Sequence, residues 1–268
     1  MGSQASRTSA RACALVLVAA ALAGCGGGSS QHHAVDAYVD DVNSIMTAEQ
    51  HELTGVQIAL NGFSATTPKE QKALRRAVAT CDRLVRRVRA LEPPAAATDV
   101  QRRLEGLLTA DRDAAAAARD LNAFLAAQRG PQARVHAAEL RLSRAIRIAH
   151  GAAAQRAAFS AFAADVRSFR QTFARLPAHG AAAAWRHAEV ARLGRLAAAA
   201  QSVAAALDRH DANAMREGLA RLQDEIRGAD AVLAERHAVA VYERLVRRVT
   251  RDDVALAKAR AALRRAVS

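Results

Sequence analysis

From residue 35 onward, apolar side chains recur at three- and four-residue steps, the spacing that lays them along one face of an α-helix. Val35, Val39, Val42, Met46, Leu53, Val56 and Leu60 set a first helix running to about Asn61-Gly62. Thr67, Pro68 and Glu70 then predict a capped helix start, with proline at the first helical position and a reciprocal Thr–Glu capping box. The helix behind it carries Leu74, Val78, Cys81, Val85, Val88 and Leu91 on one face and stops before Pro93-Pro94. Thr98 and Gln101 predict a second capping box and a third helix, with Val100, Leu104, Leu107, Leu121 and Leu125, up to a turn at Gly130-Pro131. Proline lacks the N–H that a helix interior needs, which is why the turn is expected there.

A fourth helix is expected from Gln132 to Leu176, broken or bent at Gly151. Its second half sets Phe159, Phe162, Val166, Phe169, Phe173 and Leu176 at alternating steps, the a/d seam of a coiled-coil-like core. After Pro177 and Gly180, a fifth helix covers about 181–207. Asp211 then caps a last helical region that runs from 212 toward 267 and is interrupted near Thr250. Short connections favour antiparallel neighbours. The fold class expected is all-α: an up-and-down antiparallel bundle of about six long helices. A shift of 80 residues sets Arg141-Leu142 on Arg221-Leu222 and Ile146-Arg147 on Ile226-Arg227, so an internal helical-hairpin duplication is expected as well.

Composition supports the helical reading and changes the view of the charge. Hydrophobic residues make up 51% of the 268, yet aromatics only 3%. An alanine-rich, aromatic-poor chain builds its core from small side chains that let helix backbones come close. The net charge is +13, nearly all from arginine, with lysine only at Lys69, Lys72 and Lys258. Such a balance suits nucleic acid, an anionic membrane or an acidic wall polymer, and the compartment must choose among them.

The N-terminus chooses. Arg7 and Arg11 precede the apolar run "ACALVLVAAALA", which has the length of a signal-peptide core and is too short to span a bilayer. It ends in Leu22-Ala23-Gly24-Cys25, which resembles the lipobox of bacterial lipoproteins. The resemblance implies a signal peptide over residues 1–24, cleavage between Gly24 and Cys25, and acylation of Cys25 with palmitate-type chains. It further implies anchoring on the extracytoplasmic face of the cell membrane. An ordinary secretory signal cut after Ala23 has the same small-x-small form and would leave Gly24 unmodified. In the lipoprotein reading, residues 25–33 are a tether and 34–268 the helical domain. Loss of Arg7 and Arg11 takes the charge from +13 to +11. Export sets nucleic acid aside as a partner and leaves anionic lipid, wall polymer or an envelope protein. Cys13 leaves with the signal and Cys25 is modified, so Cys81 has no disulfide partner and reads as a buried small hydrophobe.

Candidate chemistry is sparse. The sequence has no P-loop, G-x-S-x-G, H-E-x-x-H or cysteine pair, so no enzymatic activity and no cofactor is expected. His136 and Glu139 share one helix face. This H-x-x-E resembles the signature of imelysin-like periplasmic proteins, which implies an exported, duplicated, all-α protein with a metal at that pair. The C-terminal helix offers a second candidate. Arg247, Arg248, Arg251, Arg260, Arg264 and Arg265 are expected to face outward for contact with an anionic surface, while Leu245, Val249, Leu256 and Leu263 dock. The function expected is a non-enzymatic binding, scaffolding or sensing module. A periplasmic-type metal or small-ligand-binding protein is the alternative.

Overall fold

The computed structural model describes residues 30–61 and 67–267, and Cys25 with the signal region lies outside them. The described residues are all-α: eight α-helices and one 3-10 turn, with no strand among them. In order these are α1 Ser30–Ala48, α2 Gln50–Asn61, α3 Pro68–Arg89, the 3-10 turn Ala95–Ala97, α4 Thr98–Ile148, α5 Ala152–Ala174, α6 Gly180–Asp208, α7 Ala212–Arg227 and α8 Ala229–Val267. They divide into two compact units. Unit 1 takes the described residues up to Arg119 together with those from Tyr242 onward; unit 2 is Asp120–Val241.

Local chemistry sets many of the helix ends. At α3, the Glu70 N–H donates to Thr67 Oγ1 at 3.3 Å and the Thr67 N–H donates to Glu70 Oε2 at 2.9 Å, the expected capping box. Asp211 caps α7 as expected, accepting from the N–H groups of Asn213 and Ala214. The predicted box at Thr98 is absent. The 3-10 turn after Pro93-Pro94 leads straight into α4, so Thr98 already has helical dihedrals (φ −55, ψ −39) rather than the extended backbone of an N-cap. Gln101 instead donates to the Leu91 carbonyl at 3.3 Å.

Four expected boundaries move. The tether shortens, because α1 starts at Ser30 and makes His32 and His33 helical. The first helix divides at Glu49, whose carboxylate is held by Arg83 and Arg87 of α3. The Gly130-Pro131 turn does not form, and α4 runs through Pro131. The residue before a proline resists helix because its N–H and its Cβ clash with the proline ring, and Gly130, with no Cβ, escapes the second of these clashes. Buried Phe124, Gln128, Val135 and Ala138 continue one packed face across the junction. The chain breaks at Gly151, as expected, with φ +90, and also at Gly228, with φ +65, both dihedrals that glycine adopts without strain. Thr250, where a break was expected, is helical and donates to the Val246 carbonyl. Under the 80-residue shift Gly151 falls on Ala231, whereas the corresponding break is at Gly228.

In unit 1, α2 and α3 run antiparallel, with Glu49 on Arg83 and Glu52 on Thr80. The α3–α4 pair is antiparallel too, with Arg89 on Glu105 and Asp82 on Arg112. Its main core joins Val35, Tyr38, Met46, Leu84, Val88, Leu104 and Leu108 to Leu256, Ala259 and Leu263 of α8. Cys81 is fully buried beside Val56, Ala77 and Ala115, and burial, then the Asp111 charge, pushes its thiol up to about 12. It is a core side chain, as expected.

In unit 2, α6 is the central element, buried over most of its circumference by Leu193, Leu196, Val203 and a set of alanines that includes Ala197, Ala200 and Ala204. The phenylalanine stripe packs onto it: Phe159, Phe162, Val166 and Phe173 are buried and Phe169 half-buried. Helices α5 and α6 are antiparallel, since Arg156 pairs with Asp208 and Arg186 donates to the Leu176 carbonyl. On the other side α7 comes so close that a Cβ on Gly218 would stand 2.8 Å from Val203 Cγ2.

Candidate functional site

The pair singled out by its spacing, His136 and Glu139, sits in the wall of a groove in unit 2 of about 500 Å³. The second half of α4 supplies one wall, with Arg129, Gln132, Ala133, Val135, His136 and Glu139. Trp185, Glu189 and Arg192 of α6 form the floor. Ile226, Arg227, Gly228, Ala231, Val232 and Glu235 from the α7–α8 corner form the other wall.

Side chains of α6 fix that corner. Arg192 donates its Nε and Nη2 hydrogens to both oxygens of Glu189, at 2.9 and 2.6 Å. Its Nη1 donates at 2.8 Å to the Glu225 carbonyl, one of the C-terminal carbonyls of α7 that helix geometry leaves without an intrahelical partner. Gly228 completes the turn in a left-handed conformation, and a Cβ there would lie 3.3 Å from Arg192 Cδ. One turn along, Arg195 bridges Glu225 at 2.6 Å and Asp230 at 2.8 Å, joining α7 to α8. The Glu189–Arg192 pair is buried, at 3% and 8% exposure. Burial works against the Arg192 charge, but the hydrogen bonds and charge of Glu189 more than compensate and hold its pKa above the ordinary value. Beneath the groove, Trp185 meets Phe124 edge to face at a centroid distance of 5.1 Å.

The structure brings His136 and Glu139 together, with Nδ1 3.6 Å from Oε2 and the imidazole largely exposed. Among the described residues, no group of three His, Cys, Asp or Glu side chains has an arrangement able to hold a metal ion. The groove's walls also hold apolar side chains open to solvent, Ile226 at 42% and Val232 at 40% exposure. Positive and negative groups balance along it, so it offers a mixed polar and apolar surface, not a patch of one sign.

The six C-terminal arginines are on α8 within unit 1. Arg247 pairs with Glu243 at 3.6 Å, Arg248 with Asp113 at 3.7 Å and Asp252 at 3.4 Å, and Arg251 with Asp252 at 3.8 Å. Arg260, Arg264 and Arg265 follow beyond. Arg264 and Arg265 are exposed and Arg260 is half-buried. Burial, then the neighbouring Arg264 charge, lowers the Arg260 pKa below its usual value. The opposite face docks Leu256, Ala259 and Leu263, as expected from their spacing. No described helix is long and apolar enough to cross a membrane.

Unit 1 also buries a titratable group. Asp111 on α4 is 9% exposed, and burial, then the Asp253 charge of α8, raises its pKa from 3.8 to about 7. The signal was in the spacing: Asp111 follows Leu107 and Leu108 by four and three residues and so falls on the apolar face of α4, although its neighbours in sequence are arginines and alanines. Comparison of the chain with protein families, with curated proteins and with solved structures returns no match.

Proposed function

We propose that the chain is an extracytoplasmic lipoprotein, held to the cell membrane through acylated Cys25, and that it acts as a non-enzymatic binding module. Unit 2 is its receiving end, and an envelope partner is its occupant. The groove between α4 and the α7–α8 corner carries this reading: its floor is a satisfied buried ion pair, its corner is clamped by Arg192 and Arg195, and Ile226 and Val232 are left exposed within it. Recognition favours such preformed walls, because little ordering remains to be done on binding.

Photocrosslinking from Val232 in membranes tests it, with Lys258 of α8 as the outside reference. One dominant adduct from Val232 that is absent from Lys258 supports the groove. Equal adducts at both positions, or none at Val232, defeat it. Mass spectrometry of the mature N-terminus tests the anchor separately: diacylglycerol on Cys25 supports it, and an unmodified N-terminus at Gly24 removes it.

A second reading makes the same groove a metal or small-ligand site, favoured by the placement of His136 and Glu139 in its wall. Stoichiometric metal in the purified protein, lost with His136→Ala, would put this reading first. Metal-free protein that still crosslinks from Val232 would dismiss it.

A further inference from the structure

We propose that the last part of α8 is held to unit 1 by a proton-operated latch, in which Asp111 of α4 and Asp253 of α8 face each other across an otherwise apolar seam. While Asp111 carries a proton, α8 stays docked; when the proton leaves, the C-terminal turns of α8 are released. The latch lies within unit 1 and depends neither on the groove nor on acylation of Cys25.

The seam is defined by what is buried. On α4, Leu104, Leu107, Leu108, Ala114, Ala115 and Ala118 follow helical spacing, and Asp111, itself buried, fills the step between the leucines and the alanines. On α8, Val249, Leu256, Ala259 and Leu263 pack into the main core of unit 1. Asp253 stands four residues after Val249 and three before Leu256, so it falls on the same stripe, half-buried. Arg248 reaches Asp113 at 3.7 Å and Asp253 acts on Asp111, so the two helices run antiparallel here. Each helix thus sets one acid into its own apolar stripe, opposite the other's. Two such carboxylates disfavour each other's charge, and one of them holds a proton more tightly as a result.

The surrounding charges leave Asp111 to itself. Asp82 of α3 is answered by Arg112 at 2.7 Å, Asp113 by Arg112 and Arg248, and Asp252 by Arg248 and Arg251. Among the described residues, no basic side chain pairs with Asp111. From α3 it faces the Cys81 thiol, which burial and the Asp111 charge keep protonated, and α2 reaches that thiol with apolar Val56. From α8 it faces Asp253, which also acts on Arg260 two turns further on. No third ligand for a metal ion stands with the two acids among the described residues. The occupant that relieves the pair is a proton.

The direction of the response follows from where each state holds that proton. With α8 docked, burial and then the Asp253 charge raise the Asp111 pKa to about 7. With α8 released, the carboxyl meets water and returns toward its ordinary value of 3.8. The docked state therefore binds more protons between these values. Its advantage is full below about pH 4 and is lost as the pH climbs through about 7. Release bares Leu256, Ala259 and Leu263 of α8, together with Val100, Leu104 and Leu108 of the same buried cluster. An apolar surface is then hidden in acid and offered above neutral pH.

Amide hydrogen exchange of the full chain, read by mass spectrometry at pH 6 and pH 8, tests the latch. Each rate is divided by the intrinsic chemical rate at its pH, which leaves the opening equilibrium. Peptides covering 254–267 report on α8, and peptides covering 193–204 of α6 serve as the reference. Opening of 254–267 should rise about tenfold from pH 6 to pH 8, while the reference stays level. Asp111→Asn should abolish the rise. Asp253→Asn, which keeps the buried carboxyl and removes the charge facing it, should reduce the rise to about twofold, and it decides the matter where Asp111→Asn folds poorly. Equal opening of 254–267 at the two pH values overturns the latch. So does a rise that persists undiminished in either variant, because another titrating group would then be its cause. A rise shared equally by the α6 peptides overturns it too, since the whole chain would be loosening.

Discussion

The two units bury charge in opposite ways. Unit 2 sinks a whole ion pair, Glu189 with Arg192, and completes it with a bond to the Glu225 carbonyl. Unit 1 sinks a lone carboxyl, Asp111, with another acid, Asp253, acting on it from α8. In the first case the charges persist and hold helices together. In the second the molecule lowers the cost by keeping a proton near neutral pH. A buried charge needs either a partner or a proton, and the two solutions respond differently to mutation and to pH.

The sharpest way to break the contrast is Arg192→Met. It leaves Glu189 buried without its partner and the Glu225 carbonyl without its donor, so a loss of about 3–5 kcal/mol is expected in urea unfolding of the full chain. Replacing both members, Glu189→Leu with Arg192→Met, should cost far less than the single change, since no uncompensated charge remains.

Asp111→Asn should act in the other direction. A carboxyl whose folded pKa lies above its unfolded one holds more protons in the folded state. Its contribution is therefore full below about pH 4 and is lost as the pH climbs through about 7. The variant should be more stable than the parent by about 2–4 kcal/mol at pH 8, with the gap closing toward pH 4. A gap independent of pH would show that Asp111 does not hold its proton in this way.

Smaller effects are expected at two helical glycines. Gly218→Ala in α7 would drive a Cβ to within 2.8 Å of Val203 Cγ2, and overpacking of that kind costs about 1–3 kcal/mol. Gly106→Ala in α4 meets nothing within 4 Å and should stabilise the chain by about 0.5–1 kcal/mol, read as a rise in Tm. Opposite signs for the same substitution would confirm that α7 is the closely packed helix. The same sign at both would deny it.

The sequence made the helices legible wherever a local rule ruled alone. Thr67 and Asp211 cap their helices by short-range hydrogen bonds, and the Phe159–Phe173 stripe follows helical period, so both were readable without a partner in view. Pro131 misleads because tertiary packing and a neighbouring glycine outweigh a local preference. The Thr98 box fails because the preceding 3-10 turn has already fixed the backbone. Half of the groove was readable, since His136 and Glu139 share a helix face. The other half arrives from Arg192, Val232 and Glu235, which are distant along the chain. Glu189 and Arg192 look, as a sequence pair, like any solvated i,i+3 salt bridge, and only burial gives them their weight.

The alanine-rich circumference of α6 has a consequence for how this protein tolerates variation. Where a core is built from large side chains, damage comes mainly from deletion. Around Ala200 and Ala204, there is almost nothing to delete. Random substitution there can hardly proceed except by adding atoms, so these sites have a ceiling on size instead of a demand for it. At its buried alanines the central helix of unit 2 should thus reject nearly everything larger, a purifying filter set by volume rather than by hydrophobicity.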